Sequence, residues 1–157
     1  MQTLEQRLKL TKPLPKHTKG ILSLVIAAQG IMARVGAACE YHGITRPQYN
    51  VLRVLRGAGS AGHPRHEISA RVVEKAPDVT RILNRLVAGG YVKRGRSSVD
   101  RRESVARITD TGLALLVSVD RSVSKEERLI GNCLRSREWT TLVLLCQQLF
   151  PSVNGHS

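Results

Sequence analysis

The chain has 157 residues, enough for one compact domain or a small domain with a helical extension, and its 25 Lys and Arg against 12 Asp and Glu leave a formal charge of +13. A surplus this large attracts polyanions, nucleic acid foremost and anionic membrane surface second, and Arg, the side chain suited to bidentate phosphate and guanine contacts, dominates the cations. The longest apolar stretch, Ile21 to Ala33, is interrupted by Gln29 and Gly30 and falls short of the ~20 residues of a membrane span, and the start of the chain lacks an apolar core with a small-residue cleavage site, so a cytoplasmic chain outside the membrane is expected.

Along the chain, a short amphipathic piece ends at Pro13, Leu14 and Pro15, which should act as a hinge. From Ile21 the residues Leu24, Val25, Ala28, Ile31, Met32, Val35, Ala38 and Cys39 recur at helical spacing, predicting a long helix with one apolar face that ends by Gly43. Thr45 and Gln48 form a T-x-x-Q capping box, with Ile44 and Tyr49 in the two positions of a hydrophobic staple, so a helix is predicted from about Arg46. Its apolar set is Val51, Leu52, Val54 and Leu55, and a flexible glycine-rich loop, residues 57–62, follows. A short helix over about Glu67 to Val73 comes next. Beyond a turn, Pro77 suits the first turn of a fourth helix whose buried stripe is Val79, Ile82, Leu83 and Leu86.

Gly89 and Gly90 break the helical period, and Tyr91 to Arg94 and Val105 to Thr109 predict two strands around a tip carrying Arg96, Arg101 and Arg102. Thr109 can cap the following helix, for which Leu113, Leu116, Val117 and Val123 supply the apolar face. A last helix from near Ser136 shows Trp139, Leu142, Val143, Cys146, Leu149 and Phe150 on one side and is closed by Pro151.

This order is mainly α (α+β): a winged helix-turn-helix with flanking dimerisation helices. The expected organisation is an arm over 1–18, a helical dimerisation region over 19–42 and 110–150, a DNA-binding lobe over 43–109 and a tail over 151–157. Apolar faces lying outside a lobe too small to cover them predict a homodimer. In such motifs the second helix of the pair enters the major groove of double-stranded DNA. With the stripe turned inward, Pro77, Thr80, Arg81 and Asn84 point outward with Arg85 at the edge. Arg can address guanine, Asn adenine, and Thr a thymine methyl or a phosphate.

Three runs carry a resemblance: D78-V-T-R-I-L-N-R-L86, G90-Y-V-K-R94 and D100-R-R-E-S-V-A-R-I-T-D-T-G112. From about Gly43 to Leu116 the sequence is similar to the MarR family of bacterial regulators. The resemblance implies a cytoplasmic, nucleoid-associated homodimer that binds a palindromic operator, represses nearby genes and is relieved by a small aromatic or phenolic ligand or by oxidation. It sets the DNA-binding candidates as Pro77, Asp78, Thr80, Arg81, Asn84, Arg85, Arg94, Arg96, Asp100, Arg101 and Arg102. Arg102 is expected to enter the minor groove, its guanidinium held by Asp100 two residues earlier. Asn84 stands where many relatives carry an acid, so that acid's pairing with neighbouring arginines is expected to be missing.

His17, Arg34, His42 and Tyr49 lie where an effector would sit, yet each reads as an ordinary surface or core residue. Cys39, Cys133 and Cys146 form no CxxC or Cys/His cluster, so no metal, cofactor or disulfide framework is expected. All three fall on apolar helical positions, as buried thiols behave, which speaks against a redox switch. No P-loop, GxSxG or HExxH is present, so no catalytic residue is assigned. The alternatives to a sequence-specific regulator are a nonspecific architectural DNA-binding protein and a thiol-based redox-sensing regulator.

Overall fold

A computed structural model describes residues 3–72, 78–96 and 102–154, with side chains as far as Phe150. By its contacts the chain divides into two units, residues 1–123 and 124–157. In the first, α1 (Leu4–Leu8) carries a capping box made by Thr3 and Gln6, and an ion pair between Glu5 and Lys19 ties it to α2 (Lys16–Glu40). α2 thus starts within the span expected for the arm. Pro15 serves as the N-cap of α2, since the first turn of a helix has no use for its N–H groups and Pro there costs nothing.

α2 is 25 residues long, with an 18-residue window of mean hydropathy 1.7, so by length and composition alone it could cross a membrane. That corrects the shorter stretch read from the sequence. Its last turns belong to the lobe, where Cys39 is buried and Val35 and Ala38 pack against the core. Further back, Ile21, Leu24, Val25, Ile31 and Met32 are exposed.

α3 (Arg46–Ala58) begins as predicted: the Thr45 hydroxyl accepts from the Gln48 N–H, the Gln48 side chain accepts from the Thr45 N–H at 2.8 Å, and Ile44 and Tyr49 are both buried. The helix runs through Gly57, and the glycines after it form a pinned turn where a flexible loop was predicted. Gly62 has φ +71°, and a Cβ there would collide with the Ala106 carbonyl, so only glycine lets the chain lie this close to the sheet. A two-residue strand, β1 (His63–Pro64), follows and pairs antiparallel with Ala106 and Val105 of β3 (Ser104–Ile108). β3 is the central strand, flanked on its other side by β2 (Val92–Arg96).

Between these strands lie α4 (Arg65–Arg71) and α5 (Val79–Ala88). The core gathers Val51, Leu52 and Leu55 of α3, Ile68 of α4, and Val79, Leu83 and Leu86 of α5 under Val92, Ala106 and α6 (Asp110–Gly131). Thr109 caps α6 as expected, its hydroxyl accepting from Gly112 N–H at 3.0 Å and donating to the Gly90 carbonyl at 2.7 Å. Gly112 permits the close approach of α6 to the Tyr91 carbonyl, which a Cβ would meet.

One face of α6 was misread. Val119 is fully buried beside Leu116 and Val123, whereas Val117 is 56% exposed and Leu113 also faces outward. In the second unit α7 (Ser136–Asn154) begins where predicted, with Trp139 Nε1 donating to the Gly131 carbonyl at 2.9 Å. It continues through Pro151 to Asn154 and does not close at that proline, which removes a single backbone donor. Val143, Leu144, Leu145, Leu149 and Phe150 are exposed along it.

Candidate nucleic-acid interface

α5 presents the two-sided pattern that a groove-reading helix needs. Val79, Leu83 and Leu86 are buried with Ile82 packed beside them, and Thr80, Arg81, Asn84 and Arg85 are all exposed on the opposite side. Asp78 is the N-cap: its carboxylate accepts from the Arg81 N–H at 2.9 Å, which also sets a negative charge at the positive end of the helix. Its carboxylate thereby shapes the start of the helix. Pro77, Asp100 and Arg101 lie outside the described residues, and the expected Asp100–Arg102 pairing with them.

Arg94 of β2 reaches across to α5, where its Nη2 donates to Asn84 Oδ1 at 2.5 Å. The pairing expected to be missing is therefore supplied by Asn84 itself. A guanidinium has no acceptor, so the Asn84 oxygen must face it, which leaves the amide N–H groups and the second lone pair of the oxygen for a partner. Bidentate reading of adenine uses both ends of the amide, and the contact occupies one of the two acceptor sites on its oxygen. Beside it, a cleft of about 270 Å³ is bounded by Arg65, Thr80, Leu83, Arg94 and Ser104, so recognition helix and sheet share one arginine-walled surface.

The hairpin is braced by Arg107, a residue the sequence reading passed over. Its Nε donates to the Ser60 carbonyl at 2.8 Å and its Nη2 to the Arg96 carbonyl at 3.0 Å, joining β3, β2 and the turn after α3. Arg96 stands exposed at the end of β2 opposite Ser104, and Arg102 is exposed two residues before β3. On α4, His66 lies 3.9 Å from both Glu67 and Glu103, within reach of the strand that returns from the tip. Arg65 and Lys93 extend the basic surface, and nothing in their local pattern distinguished them from solvated cations.

The effector candidates resolve into structural roles or plain exposure. Tyr49 donates to Asp120 Oδ1 at 2.7 Å and Arg56 pairs with the same carboxylate, tying α3 to α6, while His42 Nε2, in the turn before α3, lies 2.8 Å from the Ser122 hydroxyl of α6. His17 and Arg34 are exposed on α2. Burial pushes the Cys39 thiol up to about 11, which keeps it protonated and unreactive, as expected. Cys133, predicted buried, is exposed in the turn after α6, and Cys146 is half-buried. Among the described residues no cluster of His, Cys, Asp and Glu could hold a metal ion.

A helix-turn-helix with a basic hairpin at its side defines the winged helix-turn-helix class. Within it, residues 42–103 match the model of the MarR family. The chain is 36% identical over 80 residues to the HTH-type transcriptional regulator TtmR of Methylorubrum extorquens (strain PA1), a match spanning 51% of this chain and 40% of that protein. Among solved structures, the fold is similar to the S. aureus MepR–DNA complex, with a TM-score of 0.75 at 16% identity over 89% of this chain and 99% of that one. It is similar also to the transcriptional repressor CouR bound to a 23-mer DNA duplex, with a TM-score of 0.70 at 23% identity over 81% and 89%. Through this lobe the chain is similar to the MarR family, and the match spans less than half the length of that curated regulator; its fold is that of the two DNA-bound structures.

Proposed function

We propose that this protein is a homodimeric, sequence-specific DNA-binding regulator that represses from a palindromic operator and is released by a small ligand. The observation that carries the reading is the exposed set Thr80, Arg81, Asn84 and Arg85 on α5, standing beside the arginines of the hairpin on one surface. α5 enters the major groove, and the hairpin then overlies the adjacent minor groove, where Arg102 reads a narrow A·T-rich segment. Arg94, Arg96 and Arg101 supply phosphate contacts around it. DNA-bound relatives of the same fold support this placement.

Two copies pair through α2 and α7, whose exposed apolar residues exceed what a single chain covers. This reading also accounts for the apolarity of α2 without a membrane, and it locates the protein in the cytoplasm on the nucleoid. Footprinting on the DNA flanking its own coding sequence tests the proposal. Two protected half-sites about one helical turn apart are expected, and affinity should fall by a log–log slope of about −0.9 per phosphate contacted as salt rises. Uniform protection without half-sites would favour the architectural alternative that the +13 charge alone could serve.

A further inference from the structure

A second basic cleft, of about 380 Å³, opens between α3 and α4 and shares no residue with the α5–hairpin surface. Asn50, Arg53, Val54 and Arg56 line it from α3, and Arg71 and Val72 from the end of α4. Among the described residues no carboxylate is in the lining. Glu67 takes two N–H donors of Arg71, both at 2.9 Å, and Asp120 takes Arg56, so two of the three cations are offset from outside. Proximity to Arg71 holds the Glu67 carboxyl below its ordinary range. Arg53 is different: its guanidinium sits over the Tyr49 ring, 5.6 Å from the centroid. A guanidinium drawn to a ring face by its charge keeps its N–H donors available to other partners.

We infer that the α3–α4 cleft binds a small phosphate- or carboxylate-bearing solute through Arg53, Arg71 and Asn50, with Arg56 shared between the solute and Asp120. A fork of guanidiniums matches the oxygens of such a group, since each Arg carries five donors and one carboxylate occupies at most two. The volume lies at the small end of the ~300–1,000 Å³ usual for ligand sites, and Val54 and Val72 give the occupant an apolar wall. Because Asp120 also accepts from Tyr49, filling the cleft competes with the contact that ties α3 to α6.

The same chemistry would suit a DNA phosphate, and the test separates the two sources. Calorimetric titration of the full-length protein with citrate, and separately with inorganic pyrophosphate, is run at ionic strength held constant with sodium chloride. Saturable binding of one or both is expected, weakened about tenfold by Arg53→Gln or Arg71→Gln and tightened severalfold by Glu67→Gln, which releases Arg71. Arg53 and Arg71 are exposed and Glu67 is half-buried, so the fold should persist, as circular dichroism would verify. In parallel, Arg53→Gln should leave duplex affinity and its salt slope unchanged. No saturable binding of either probe, or equal affinities in the arginine variants, would overturn the inference. So would a salt slope reduced by about one in Arg53→Gln with probe binding intact, which would assign the cleft to the DNA backbone.

Discussion

In the winged lobe Leu52, Leu55, Ile68, Leu86 and Leu116 are fully buried, whereas on α7 Val143, Leu144, Leu145, Leu149 and Phe150 are between 46% and 57% exposed. Both regions carry large apolar side chains, yet only one closes on itself. Such residues gain their burial free energy, about 25 cal/mol per Å², only when something covers them. The lobe can therefore be stable by its own packing, while the exposed stretches of α2 and α7 are the surfaces that the proposed dimer would cover. Under the proposed function, reading surface and pairing surface fall on regions that different substitutions can perturb separately.

The largest separation should come from the core. Leu52→Ala removes a fully buried side chain at the centre of the lobe and should cost about 2–5 kcal/mol, seen as a lower denaturation midpoint with DNA binding lost in proportion to unfolding. A loss below about 1 kcal/mol would mean the lobe is not the self-sufficient unit described. Charging the other region should do the reverse. Leu145→Glu with Leu149→Glu should shift sedimentation at micromolar concentration to the 17.3 kDa monomer while the lobe keeps its secondary structure. A dimer of undiminished stability would move the interface elsewhere.

Effects on the reading surface should be smaller and confined to DNA. Arg102→Ala should leave folding and dimerisation intact yet weaken operator binding by about 1–3 kcal/mol; unchanged affinity at fixed salt would shift the minor-groove role to Arg101 or Arg96. Arg94→Ala should fall in the same range, because it removes a cation and also frees the Asn84 amide to turn.

The smallest effect concerns Cys39. Its thiol ionises near 11 in the folded chain against an ordinary 9.0, because burial disfavours the thiolate. The unfolded chain thus loses its proton first, so this contribution to stability is complete below pH 9 and declines as the pH rises toward 11. At pH 8 an alkylating reagent should modify exposed Cys133 rapidly and Cys39 only on unfolding. Equal rates, or dissociation from DNA on mild oxidation that a Cys39→Ser variant abolishes, would revive the redox-sensing alternative.

What the sequence revealed and what it hid follow from range. The Thr45–Gln48 box, the Thr109 cap and the α5 stripe depend on residues three or four apart, and each stands in the structure as read. β1 could not be read this way. A two-residue strand ending in proline exists only because β3, more than forty residues later, supplies its partner. The buried side of α6 was likewise decided by what packs against it, so Val119 displaced Val117 although both fit an apolar helix. Of the DNA-binding candidates, the exposed α5 residues were legible from the stripe opposite them. Arg107's role and the Asn84–Arg94 contact were not, since both join residues of different elements.

The central claim is that α5 and the hairpin read sequence, where charge alone would bind any duplex. Competition tests it most directly: the protein is bound at fixed salt to labelled DNA from beside its own coding sequence and challenged with the same DNA or with random duplex, both unlabelled. The account predicts that random duplex competes at least about 1,000-fold less well, the lower end of the usual gap between specific and nonspecific binding. Equal competition by the two would contradict it.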